Sequence, residues 1–433
     1  MILMPRFQKR PLVILGALPL LLAVLSQAAS PQEKSSPLLD QADSVLKEMS
    51  DLTGLPIKGP LKKEIVGRAE VRKYLVENLH QEMSPHDLHV QEATLQAFGL
   101  VSQDFDLENF LIAFYTEQAA GFYDPIRKTM FIADWPPPDQ QRLALAHELT
   151  HALQDQNFDL DKFLHAQRAN DDATNARQAV VEGYATAAMM EQLVAPVGLA
   201  GMPLLQPLLE QVVHSQFDEF PNFSTAPYFF RFEALFPYIQ GLTFMQRGLQ
   251  GGGWKKLNAV FDDPPTATKE IFDPALYFEK KPLPPISLPR PQALDRGQSL
   301  KFLSENTMGE MGYYAVLAQF ISENEAKTVG GGWLADRYIL YERSGSKNYA
   351  LVARTRWNST ETALAFFRDY HTILAHKFPE LSPDKHSGAD LFVGTAANGQ
   401  VILLRQGDEC RWAEGVPAAQ TDALLAWLRV LKN

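Results

Sequence analysis

The residues best placed to do chemistry lie in "HELTHALQD", residues 147–155. His147 and His151 are four apart, and Glu148 directly follows the first. On a helix, positions four apart differ by about 40° around the axis and about 6 Å along it. The two imidazoles therefore project from one face, a turn apart, and their nitrogens can converge on one ion. Glu148 is turned by about one position, so its carboxylate can reach a water on that ion without displacing a histidine. Two ligands and a base for the water are the parts of metal-assisted hydrolysis. A catalytic zinc takes three protein ligands and keeps one position open. Glu182 offers the third, as the acid in the otherwise apolar stretch from Ala179 to Met190. A carboxylate there is costly unless paired. Gly183 beside it permits close helix approach. Two simpler readings compete: an exposed helix face carrying two histidines, and a structural zinc. Structural sites usually close with a fourth protein ligand, commonly cysteine, and no CxxC occurs.

These residues need two helices and a strand to hold them. "GFYDPIRKTMFIADW" reads as two short strands, Phe122-Tyr123 and Thr129 to Trp135, joined by a turn over Asp124-Pro125. Pro136 to Pro138 stop the second. Asp139 then reads as the N-cap of a helix carrying the histidines, with Leu145, Leu149, Ala152 and Leu153 facing a core. A second helix covers about residues 171–194, and mostly helical segments follow to about Val260. "GLQGGGW" breaks one of these from the next.

The chain is 433 residues long, enough for two or three domains. The N-terminus has a basic segment (Arg6, Lys9, Arg10), an apolar run of 15 residues from Pro11 to Leu25, and Ser26-Gln27-Ala28 as a small-x-small cleavage site. That order predicts a secretory signal peptide over 1–28. The run falls short of the ~20 residues that span a bilayer, so no stable membrane anchor is expected after cleavage. Removing the segment takes the formal net charge from −11 to −14. So acidic a chain argues against a nucleic-acid partner. The lone cysteine, Cys410, cannot form an internal disulfide and reads as a small buried apolar residue.

Residues 29–105 read as an N-terminal helical region, in which Ser84 caps a helix with Pro85 at its first position. Residues 106–281 form the region that bears the chemistry. Residues 282–299, including "PLPPISLPRPQ", read as a stiff linker. Residues 300–433 form a C-terminal α+β domain, with "YILYER", "YALVARTRW", "DLFVGT" and "QVILLRQ" as strands and a helix behind a capping box, Asn358 to Glu361.

"HELTHAxxD", followed about thirty residues later by "EG", resembles the gluzincin, thermolysin-like branch of zinc metallopeptidases. The whole chain is similar to secreted zincin-like proteins that carry "GFYDP", "LAHELTHALQD", "EG-A", "FPY--G--F" and "GGW--DRY" in this order, a group with no established substrate. The resemblance implies an α+β, zincin-like fold. It also implies Zn2+ held by His147, His151 and Glu182, Glu148 as general base, and a protein or peptide substrate paired along a strand edge at Phe122-Tyr123 or Thr129 to Ala133. Asp155 matches an aspartate of the group. Thr186 stands where thermolysin-like enzymes place an aspartate supporting a histidine ligand, so Asp155 or Glu233 is expected to serve instead. Tyr184, His214, Tyr228 and Tyr238 are candidates for stabilising the oxyanion, Tyr238 first among them. In the C-terminal domain, Trp333, Asp336 and Arg337 are either a packed turn or a wall of the cleft. The function expected is secreted or periplasmic zinc-dependent peptide hydrolysis. A noncatalytic extracellular binding protein on the same scaffold and a zinc amidase acting on cell-wall peptides stay open, and oligomeric state is not legible.

Overall fold

A computed structural model describes residues 38–119, 121–135, 138–166, 170–215, 220–296 and 299–431. The expected signal segment lies outside the described residues. Among these, no helix is long and apolar enough to cross a membrane. The architecture is mixed α+β, with a helical body, a three-stranded sheet and a C-terminal antiparallel sheet.

The described residues begin with four helices, α1 (Leu38–Thr53), α2 (Arg68–Glu82), α3 (Pro85–Phe98) and α4 (Leu107–Gln118). Ser84 caps α3 as expected, its Oγ accepting from the Asp87 amide at 3.2 Å. The region is not wholly helical. β1 (Lys62–Val66) pairs in parallel with β3 (Thr129–Ala133), and β2 (Gly121–Asp124) pairs with β3 antiparallel. β1 reads "KKEIV" and has no apolar alternation, which hides it in the sequence. The order β1-β3-β2 corrects one expectation, because β3 is central and has no free edge. Of the two segments proposed for substrate pairing, only β2 is an edge strand. Its turn is built as the sequence suggests: Asp124 Oδ1 accepts from the Ile126 and Arg127 amides, each at 2.8 Å.

α5 (Pro138–Phe158) carries the histidines and begins at Pro138, one residue before the expected cap. Leu145, Leu149, Ala152 and Leu153 are fully buried, as their spacing requires. A short α6 (Leu160–His165) follows, then α7 (Asp171–Leu193), which carries Glu182. α8 (Tyr228–Asn258) packs along α7 and has non-helical backbone at Gly252 and Gly253, where the glycine run was expected to break it. The α7–α8 crossing is set by Gly183 against Gly241. A Cβ on Gly183 would stand 2.3 Å from the Gly241 carbonyl carbon, and one on Gly241 would stand 2.4 Å from the Ala179 oxygen. Both obstacles are backbone, so neither can step aside.

The C-terminal sheet has seven antiparallel strands in the order β4-β5-β6-β10-β9-β8-β7. They are β4 (Leu300–Asn306), β5 (Trp333–Arg343), β6 (Tyr349–Trp357), β7 (Ser382–Pro383), β8 (Leu391–Ala396), β9 (Gly399–Gln406) and β10 (Glu409–Val416). One face joins the main core through α9 (Gly309–Phe320) and α10 (Thr360–Lys377), and Phe98 of α3 packs edge-on against Tyr313 and Tyr338. The other face is covered by α11 (Thr421–Val430) with Leu288 and Leu294. The proline-rich stretch is therefore packed against the sheet, where Ser287 O accepts from Arg354 Nη1 at 2.8 Å. Ser359, not Asn358, caps α10, its side chain accepting from the Thr362 amide. Cys410 is buried, its thiol donating to Ala363 O.

Gly183→Ala and Gly241→Ala are each expected to force α7 and α8 apart. Overpacking of this kind costs about 1–3 kcal/mol or more, which a thermal melt will show as a lowered Tm. An unchanged Tm in both would mean that the crossing does not need glycine.

Candidate metal centre

α5 and α7 cross with His147, His151 and Glu182 facing one another. His147 Nε2 and His151 Nε2 are 2.9 Å apart. Glu182 Oε2 lies 3.2 Å from the first and 3.5 Å from the second. Three ligands about 2.0–2.1 Å from one tetrahedral ion stand about 3.3 Å from one another, so the triangle has the right size. All three side chains are at most 1% exposed. Glu182 Oε1 has no hydrogen-bond partner. Among the described residues this is the one cluster able to hold a metal ion.

The charges of the three side chains are coupled. Burial pushes His147 down to about 4. Burial also disfavours charge on His151, but the adjacent Glu182 carboxylate outweighs it and lifts this imidazole to about 9. Burial would raise Glu182; the His151 charge and hydrogen bonds from both histidines instead hold it at about 2. A divalent cation bound between the three side chains would answer the carboxylate's charge and satisfy three atoms at once.

Glu148 sits beside the triad, 2% exposed. Its carboxylate accepts from the Tyr123 amide on β2, and its Oε2 has no partner. Burial, above all, lifts it to about 8. The β2 backbone thus positions Glu148, a contact that side-chain motifs cannot reveal.

Gln154 is the supporting residue that sequence reasoning missed. His151 Nδ1 donates to Gln154 Oε1 at 2.8 Å, and Gln154 Nε2 donates to Val181 O at 3.0 Å. One side chain therefore orients a ligand and ties it to the helix bearing the third ligand. Its signal was available: a polar residue one turn after His151 on the buried face. Asp155 does not reach the histidines. It accepts from Tyr123 Oη and Lys128 Nζ, each at 2.7 Å, and from the Leu160 amide, so it joins α5 to the β2–β3 turn and to α6. Glu233 lines a cavity instead. Neither takes the supporting role expected of it.

Of the tyrosines, Tyr238 alone stacks beside the triad, its ring centroid 6.0 Å from that of His147. Tyr184 Oη donates to Asn258 Oδ1 at 2.6 Å, and Tyr228 Oη donates to Glu323 Oε1. The side chain of His214 lies outside the described residues. Trp333, Asp336 and Arg337 lie on β5, away from the triad. Asp336 accepts from the Met308 and Gly309 amides and from Trp333 Nε1, which fixes the start of α9. Arg337 donates to Thr307 Oγ1. Gly332 abuts the Thr362 and Asn358 side chains.

Residues 86–191 match the peptidase M78 family model, described as an IrrE N-terminal-like domain. The match spans His147, Glu148, His151 and Glu182, and suggests a zinc metallopeptidase-like family over about a quarter of the chain. Residues 299–425 match a domain of unknown function, DUF8575. No curated protein and no solved structure matches the chain.

Two substitutions test this centre by metal content after dialysis. Glu182→Ala is expected to lose the ion. Gln154→Ala is expected to weaken it about 10–100-fold, as loss of a ligand-orienting partner does. Full retention in Glu182→Ala would remove Glu182 from the ligand set.

Proposed function

We propose that the protein is a secreted zinc-dependent peptidase in which His147, His151 and Glu182 hold the metal and Glu148 is the general base. The observation that carries this reading is Glu148: a buried carboxylate beside three convergent ligands, oriented by the Tyr123 amide, with one oxygen uncommitted. A zinc ion bound there would polarise a carbonyl and lower the pKa of water towards about 7. With an uncommitted oxygen beside the three ligands, Glu148 is placed to take a proton from water and hand it to the leaving amine. The edge strand β2 runs past this carboxylate, so an extended peptide adding to β2 would bring its scissile bond towards the base. Tyr238, against His147, is the side chain we assign to the developing oxyanion.

One observation favours a second reading, a noncatalytic extracellular protein that keeps the ion as a scaffold. His147, Glu148, His151 and Glu182 are each at most 2% exposed. A scaffold, however, has no use for Glu148. Casein cleavage by the wild type and by Glu148→Gln separates the readings. Glutamine is nearly isosteric but cannot accept the proton, so the variant is expected to keep the metal and lose hydrolysis. Equal cleavage by both proteins would remove Glu148 as the base.

Export follows from the N-terminal segment. Exported protein is expected to begin at or near Ala29 on N-terminal sequencing, and a start at Met1 would contradict cleavage.

A further inference from the structure

A cavity of about 380 Å³ lies between α8, the helix Gln206–Ser215, α9 and the turn that follows it. That volume is within the range of small-molecule sites, about 300–1,000 Å³. It is separate from the metal centre: none of His147, Glu148, His151 and Glu182 lines it. Tyr238, stacked beside the triad, lines a different cavity, together with Glu233. Tyr228, Phe232, Phe236 and Gln240 stand at every fourth position of α8 and form one wall, a stripe about 18 Å long. Spread over that length, the volume makes a narrow channel, suited to an unbranched alkyl chain rather than to a ring system.

Leu235, Ile239 and Ala318 add aliphatic walls. The aromatic rings pack on one another: Phe232 stacks with Tyr314 at 4.5 Å between centroids and with Tyr228 at 6.0 Å. The charged residues of the lining have partners of their own. Lys327 pairs with Glu210 at 3.8 Å, Tyr228 Oη donates to Glu323 Oε1 at 3.3 Å, and the Arg231 guanidinium lies over the Tyr228 ring. Gln240 is different. It lines the channel, is only 7% exposed, and no hydrogen bond engages its amide among the described residues. A buried amide without a partner is costly and rare.

We propose that this channel binds a straight-chain acyl amide, its alkyl chain lying along the Tyr228–Gln240 stripe and its amide paired with that of Gln240. Gln240 presents donor and acceptor side by side, so a second amide answers both in one reciprocal pair. A carboxylate would answer only the donor, and an ammonium only the acceptor. Either would also bury a charge at the Gln240 end, while Arg231 stands nine positions earlier, about 13 Å along α8. Binding there does not depend on the peptidase activity proposed above.

Hexanamide, hexanoate and hexylammonium share one chain and differ only in the head, so they serve as probes. Each is titrated against the full chain at neutral pH and followed by ligand-observed NMR. Hexanamide is expected to bind about tenfold more tightly than either charged analogue, the scale of one buried polar group paired or left unpaired. Gln240→Leu should bring that ratio to near one. The ratio is taken within one protein, so a loss of folded fraction cancels. Ala318→Trp fills the channel from the α9 side and should abolish binding of hexanamide, which locates the site. No binding of hexanamide to the wild type would overturn the proposal, as would a preference for hexanoate or hexylammonium. So would an amide preference that survives Gln240→Leu, or hexanamide binding that survives Ala318→Trp. Casein cleavage plays no part in these readouts, so the channel and the peptidase stand or fall separately.

Discussion

Glu182 is the carboxylate in an otherwise apolar stretch of α7, Ala179 to Met190, wholly buried, with one oxygen unpartnered and the other held between two imidazoles. Burial of an ionised carboxylate costs several kcal/mol unless a positive charge answers it. The rest of the helical body is arranged so that the answer comes from one point. α5 brings two nitrogens, α7 brings one oxygen, and Gln154 bonds to both helices. The Gly183–Gly241 contact lets α8 lie close enough for Tyr238 to stack on His147.

The same arrangement sets what the surrounding elements contribute. β2 runs beside Glu148 as the last strand of its sheet, paired to β3. Asp155 links the far end of α5 to β2 and the β2–β3 turn through Tyr123 and Lys128. The C-terminal sheet shares a continuous core with the helices and reaches the cavity beside the triad. It bears on the site as a wall, not as a source of ligands.

The triad was legible because its signal is local: a helix places i and i+4 together, and an acid in an apolar run needs a partner. Helix and strand identities over α5, α7, β5, β6, β8 and β9 followed from periodicity. What escaped the sequence had physical causes. β1 is polar and exposed, so it has no alternation to read. β10 carries Glu409, Arg411 and Glu414 inside the sheet, each paired there: Glu409 binds Arg354 and Arg411, and Glu414 accepts from Tyr370 and Lys377. Buried charges that answer one another look like a loop in a hydropathy pattern. The roles of Asp155 and Gln154 were exchanged for a similar reason. Both are polar residues within one turn of His151, and only the packing against Val181 and Tyr123 decides which one faces the imidazole.

The central claim is that these three side chains form a metal centre. Zinc-edge X-ray absorption of the purified wild-type protein tests it most directly. One zinc per chain is expected, in a nitrogen and oxygen shell at about 2.0–2.1 Å, with outer-shell scattering from two imidazoles and no sulfur. A protein without stoichiometric zinc, or a zinc whose shell lacks two imidazoles, would contradict it.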